Sequence, residues 1–182
     1  MRCPRGVGQL DEARASLQQA AHYDPLTDLH NRRAFNQAFA EILERHAQQG
    51  RSLGVMFLDI DHFKRINDQF GHPAGDAVLR ELAAMCQREL RSHDLAARIG
   101  GEEFAVVLPH SDVGDGENIA NRLLHHMSNA RIEAILGEPV TISIGLAEVE
   151  PTETDIQPAL LRADQALYRA KAAGRNRAVR WW

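Results

Sequence analysis

Cysteine is almost missing from this chain: Cys3 and Cys86 are the only two in 182 residues, too few for a disulfide framework. Long hydrophobic runs are missing too, and none approaches the roughly 18 residues that a membrane span requires. The opening MRCPRGVGQL lacks the apolar core of a secretory signal. These absences set the expectation of a reducing, cytoplasmic location with no membrane insertion by this segment. Excess positive charge is also lacking, since 21 Lys and Arg face 25 Asp and Glu for a net charge of −4. That balance argues against a protein that grips nucleic acid by charge alone, so any phosphate here has to be met by local basic clusters or metal ions. No internal repeat is visible. What remains is ordinary globular usage, 44% hydrophobic and 25% charged, in a length that makes one domain with a short appendage.

Residues 1–8 carry Pro4, Gly6 and Gly8 without a period and read as a leader. Leu10, Ala13, Leu17 and Ala20 recur at helical spacing up to Asp24-Pro25, so residues 1–23 are assigned to a leader and linker helix and 24–182 to the domain. Helices are predicted over 31–49, 63–70, 76–90, 118–127 and 156–173, with GHPAG as the loop before the third. Strands are predicted at 53–58, 95–99, 104–108, 140–149 and 178–182, the second and third flanking Gly100-Gly101-Glu102-Glu103 as hairpin punctuation. Strand, helix, strand, strand, helix, strand is the ferredoxin-like order, and it predicts an α+β, palm-type fold. Its sheet would have five mostly antiparallel strands, wrapped by helices. The first strand then lies beside the third, which brings Asp59 toward Glu102 and Glu103.

Three acids at strand ends and turns are held rigidly yet reached by water. Hard carboxylate oxygens of this kind suit Mg²⁺, which takes one or two protein ligands and completes its shell with water and substrate phosphates. Metal-assisted phosphoryl or nucleotidyl transfer is the chemistry that follows.

Four ordered segments carry a family resemblance: DPLTDLHNRR (24–33), FLDIDHFKRINDQFGHPAGD (57–76), GGEEF (100–104) and AKAAGRN (170–176). Together they resemble the GGDEF-domain diguanylate cyclases over about residues 24–178. The resemblance implies condensation of two GTP molecules into cyclic di-GMP and two pyrophosphates, at the interface of a homodimer holding one GTP per domain. By position, Asp59, Glu103 and the carbonyl of Ile60 match the metal ligands, for two Mg²⁺ per site or Mn²⁺ in their place. Glu102 matches the general base with a share in the metal, and Lys64 the group that stabilises charge on phosphorus. The N–H groups of His62 and Phe63 would cradle the terminal phosphates. Asn67 and Asp76 match the guanine readers, His72 lines that pocket, and Lys171 and Arg175 match the triphosphate clamp. Arg91 and Asp94 form an RxxD, which with Arg122 implies a second site where the product cyclic di-GMP inhibits.

Plainer roles stand beside these. Asp61 is read as the N-cap of the following helix, Cys86 as a core residue, and His125-His126 as surface histidines. Lys171 and Arg175 also close a helix, where cations are common. Trp181 and Trp182 belong either to the sheet edge or to an exposed end. The family commonly has Gly where this chain has Asp28, so a positive φ is expected there. The alternative to a cyclase is a non-catalytic module that binds GTP or cyclic di-GMP. Its mark would be loss of an acid in GGEEF, and none is lost.

Overall fold

The computed structural model describes residues 21–50 and 52–181. Of the predicted linker helix only Ala21 and His22 fall inside that range, both helical, and the rest lies outside the described residues, as does Trp182. The chain runs β1 (His30–Asn31), α1 (Arg32–Gln49), β2 (Leu53–Ile60), α2 (Phe63–Phe70), α3 (His72–Glu89), β3 (Leu95–Arg98) and β4 (Glu103–Pro109). It continues through α4 (Val113–Asn129), a 3-10 turn (Glu133–Ile135), β5 (Ile142–Glu148), α5 (Gln157–Ala172) and β6 (Ala178–Arg180). The sheet order is β1-β3-β4-β2-β5-β6.

The apolar run that opens β2 becomes the middle of this sheet, antiparallel to both β4 and β5. Side chains alternate across a strand, so β2 divides its residues between two cores. Met56, Leu58 and Ile60 pack with Val78, Leu79 and Leu82 of α3 and Leu123 and Met127 of α4. Leu53 and Val55 face the other way, onto Phe35 and Phe39 of α1 and Ala159 and Ala163 of α5. Burying each such large side chain contributes about 1.5–3 kcal/mol, which favours placing the continuous apolar run centrally.

Helix ends follow local chemistry. Asn31 caps α1 by accepting from the Ala34 N–H at 3.0 Å, and Gly50, at φ 59°, closes it. The sheet has six strands where five are predicted, because His30–Asn31 pairs in parallel with β3. Two residues are too few to show a period. GHPAG is not a loop: Gly71, at φ 85°, makes the break, and His72 already opens α3 with Pro73 in its first turn, where a missing N–H costs nothing. Asp28 takes φ 57°, as its position predicts. Among the described residues no helix is long and apolar enough to cross a membrane.

Candidate active site

Strand pairing assembles the acids. Asp59 stands opposite Glu103 on β4 and opposite Ser143 on β5, so all three side chains share the face covered by α5. That helix comes close because Gly145 has no side chain: a Cβ there would lie 1.9 Å from the Ala163 carbonyl oxygen. The last turn of α5 thereby carries Lys171 over the acids, its Nζ 2.8 Å from Asp59 Oδ2. Asp59 is 6% exposed. Burial raises its pKa above the ordinary carboxylate value and the charges of Glu103 and Asp61 add to this, against the pull of Lys171. Glu102 is raised as well, by burial and then by Asp59, again opposed by Lys171. Gly100 earns its place by proximity, since a Cβ there would sit 2.1 Å from Glu103 Oε2, and neither Gly100 nor Gly101 takes a positive φ.

The approach to α2 differs from its prediction. His62, not Asp61, is the N-cap, in the left-handed region at φ 58° and with no side-chain cap bond. The N–H groups of the first turn are thus left without a capping side chain, the arrangement that favours an anion. Phe63 is buried, while His62 and Lys64 are exposed. Asp61 turns inward instead, 4% exposed, accepting from Thr141 Oγ1 and Ser143 Oγ, each at 2.7 Å, and from the Asn176 N–H at 3.1 Å. Asn67 and Asp76 sit on the packed helices α2 and α3, partly exposed, with His72 exposed at the start of α3. A Cβ on Gly75 would lie 2.0 Å from Asn67 Oδ1, so this glycine makes room for the amide.

The family profile described as "Diguanylate cyclase, GGDEF domain" matches residues 21–177. This chain belongs to the GGDEF family. Diguanylate cyclase DgcP of Pseudomonas aeruginosa is 44% identical over 161 residues, 87% of this chain and 24% of that protein. Cyclic di-GMP phosphodiesterase NbdA of the same organism is 40% identical over 174 residues, 94% of this chain and 22% of its own. The chain thus spans about a quarter of either relative. The coiled coil and GGDEF domain of DgcB from Caulobacter crescentus, solved in complex with c-di-GMP, superposes with a TM-score of 0.88 at 32% identity, covering 96% of this chain and 93% of that one.

In this GGDEF domain the hairpin is held from outside by Arg98, for which the sequence pattern predicts no role, and by residues of DPLTDLHNRR. Arg98 donates from Nε and Nη2 to the Gly101 carbonyl at 3.2 and 2.8 Å, and from Nη1 to both oxygens of Asp24 at 3.1 and 3.3 Å. Asp24 also accepts from Thr27, through its N–H at 3.0 Å and its Oγ1 at 2.7 Å. Burial pushes the Asp24 pKa up, but the bonds from Thr27 and Arg98 outweigh it, and the net shift is downward. Arg32 Nε donates to the Ile99 carbonyl at 2.8 Å. The GGEEF motif is therefore fastened to DPLT, residues 24–27.

The RxxD residues lie on the turn between α3 and β3. Arg91 is exposed and its N–H donates to Asp94 Oδ2 at 2.8 Å. The Asp94 side chain is only 1% exposed and turned inward, with His93 Nε2 at 3.7 Å from Oδ1. Arg122, exposed on α4, donates from Nε to Glu89 Oε2 at 2.7 Å, near the end of α3. Arg122 is thus held at Glu89, two residues before Arg91 in the chain, while the Asp94 carboxylate points away from solvent. Cys86 is wholly buried and burial pushes its thiol up to about 12. His125 and His126 are exposed on the same helix as Arg122. Trp181 lies against Arg169, whose guanidinium carbon is 4.5 Å from the ring centroid.

Proposed function

We propose that this GGDEF domain is an active diguanylate cyclase, condensing two GTP into cyclic di-GMP and two pyrophosphates where two copies meet face to face. The observation that carries the reading is the pairing of Asp59 with Glu103 across β2 and β4, beside Glu102 and under Lys171.

The donor set fits Mg²⁺ or Mn²⁺: Asp59 and Glu103 supply hard carboxylate oxygens, with Glu102 and the Ile60 carbonyl beside them, and a cationic group already sits at 2.8 Å from Asp59. Among the described residues no three His, Cys, Asp or Glu side chains stand close enough together to hold an ion by themselves. When bound, two divalent ions would stabilise charge on the attacking and departing oxygens. Everything else falls to the chain. Asn67 and Asp76 orient the guanine, an amide and a carboxylate being able to pair with its edge, and His72 borders it. The first-turn N–H groups of His62 and Phe63, with Lys64, Lys171 and Arg175, hold the triphosphate.

The ribose 3′-hydroxyl of one GTP attacks the α-phosphorus of the other. A P–O bond forms to that oxygen, the bond to pyrophosphate breaks, and Glu102 accepts the hydroxyl proton. Its place on the hairpin beside Glu103, the residue opposite Asp59, puts a carboxylate where that proton leaves. The same exchange in the other direction closes the ring. Arg91, Asp94 and Arg122 form the site through which cyclic di-GMP restrains its own synthesis.

The test is incubation of the chain with GTP and Mg²⁺ at several protein concentrations, with the nucleotides separated by chromatography. Cyclic di-GMP is expected, at a specific activity that rises with protein concentration. GTP bound without product at every concentration would instead favour a signalling module that reads the nucleotide.

A further inference from the structure

Asp61 falls outside the residues assigned to chemistry, yet three donors from two distant segments converge on its carboxylate. The Ser143 hydroxyl from β5 and the Thr141 hydroxyl just before it donate at 2.7 Å each, and the backbone N–H of Asn176, after α5, donates at 3.1 Å. Ser143 is fully buried. The turn that receives this grip is unusual. Gly174, Arg175 and Asn176 all take positive φ, at 111°, 64° and 46°. Two successive non-glycine residues in that region persist only where the surroundings hold them. The turn closes on α5 through the Arg175 N–H, 3.0 Å from the Ala170 carbonyl oxygen, and launches Arg175 one turn beyond Lys171.

We propose that Asp61 is a positioning residue that fixes the Arg175-Asn176 turn, and so sets how Arg175 and Lys171 present positive charge to the substrate triphosphate. The inference rests on the cyclase reading of the same site. The chemistry explains the residue type. A carboxylate only accepts, with lone pairs on both oxygens, and all three contacts are donated to it. Asparagine has the same shape but carries no charge and turns an NH₂ toward one side of this cage: a hydroxyl can reverse to accept from it, whereas the Asn176 N–H only donates. An N-terminal cap, by contrast, accepts asparagine and aspartate about equally.

The experiment compares wild type with Asp61→Asn for binding of a GTP analogue with a methylene bridge between the α and β phosphorus, and of GMP, both with Mg²⁺. Affinity for the triphosphate analogue is expected to fall about tenfold, the scale of one hydrogen bond to a charged group, while that for GMP stays unchanged. KM for GTP should rise by a similar factor, with a smaller change in kcat. A merely structural role would lower both affinities together or neither. Should Asp61→Asn fail to fold, Ser143→Ala keeps the carboxylate and removes one donor; a smaller loss confined to the triphosphate, with faster hydrogen exchange at the Asn176 amide, is then expected. A folded variant with the wild-type ratio of triphosphate to GMP affinity overturns this inference alone. A wild type that does not prefer the triphosphate sinks the cyclase reading and this inference with it.

Discussion

Burying a carboxylate disfavours its charged form, and Asp59 shows the cost. Its folded pKa lies above the unfolded value, raised first by burial, so stability falls as pH rises through the interval between the two. At neutral pH the ionised side chain therefore opposes folding. Asp59→Asn is expected to abolish turnover and yet raise the melting temperature of the metal-free protein at pH 7. That advantage should vanish below the ordinary carboxylate range, where both forms are neutral; thermal denaturation at the two pH values checks it. Gly75 makes the opposite case, a residue whose importance is the space it leaves. A methyl there meets Asn67 Oδ1 at 2.0 Å and Phe63 Cζ at 3.1 Å. Gly75→Ala is expected to raise KM for GTP about fivefold, near the value of one hydrogen bond, as Asn67 is displaced. Its melting temperature should change little, because alanine is the better helix former and offsets the crowding. Steady-state kinetics beside a melting curve separates the two effects.

Among the elements, the hairpin between β3 and β4 is held by two guanidinium groups, Arg32 at Ile99 and Arg98 at Gly101, of which Arg98 makes the more bonds. Arg98 grips Gly101 and Asp24 with a planar fork that a lysine ammonium cannot reproduce. Arg98→Ala is expected to cost about 1–3 kcal/mol in stability, and Arg98→Lys to recover little of it. Turnover should fall further than stability, because Glu102 and Glu103 ride on the loosened hairpin; urea melts and kcat measure the difference. How legible this was follows the same physics. The run from Leu53 to Leu58 announced β2, and GGEEF announced the turn, because both signals are local. The convergence of Asp59 and Glu103 was readable once the strand order was known, since register then follows. Asp61 was misread as a cap: an acid before an apolar helix has that local pattern, whereas its real partners lie 82 and 115 residues away. Arg98 and Gly75 were missed for a related reason, since a guanidinium bond to a distant carbonyl and an unfilled space leave no periodic trace. GHPAG looked like a loop because proline and glycine punctuate loops more often than they open helices.

At the scale of the whole molecule, the RxxD turn lies at the far end of α3 from His72, so the proposed inhibition by product would act from a distance. Arg91→Ala is expected to leave initial velocity unchanged and to remove inhibition by added cyclic di-GMP; progress curves with and without product test this. Unchanged inhibition would mean that Arg91 takes no part. The proposed catalysis by two copies would require them to meet often and in one geometry, and here the outermost strands of the described sheet matter. β1 has two residues and β6 three, each aligned in parallel with the next strand, and His30 of β1 is bridged in antiparallel fashion by Tyr23. Long unpaired strands are templates for aggregation, and these offer almost no length to zip onto. Arg180 of β6 is moreover tied to Glu117 by an ion pair, a charge at the rim that repels strand addition. Edges this short give a neighbouring copy little backbone to pair with, which disfavours edge-to-edge aggregation when the domain is crowded with its own kind.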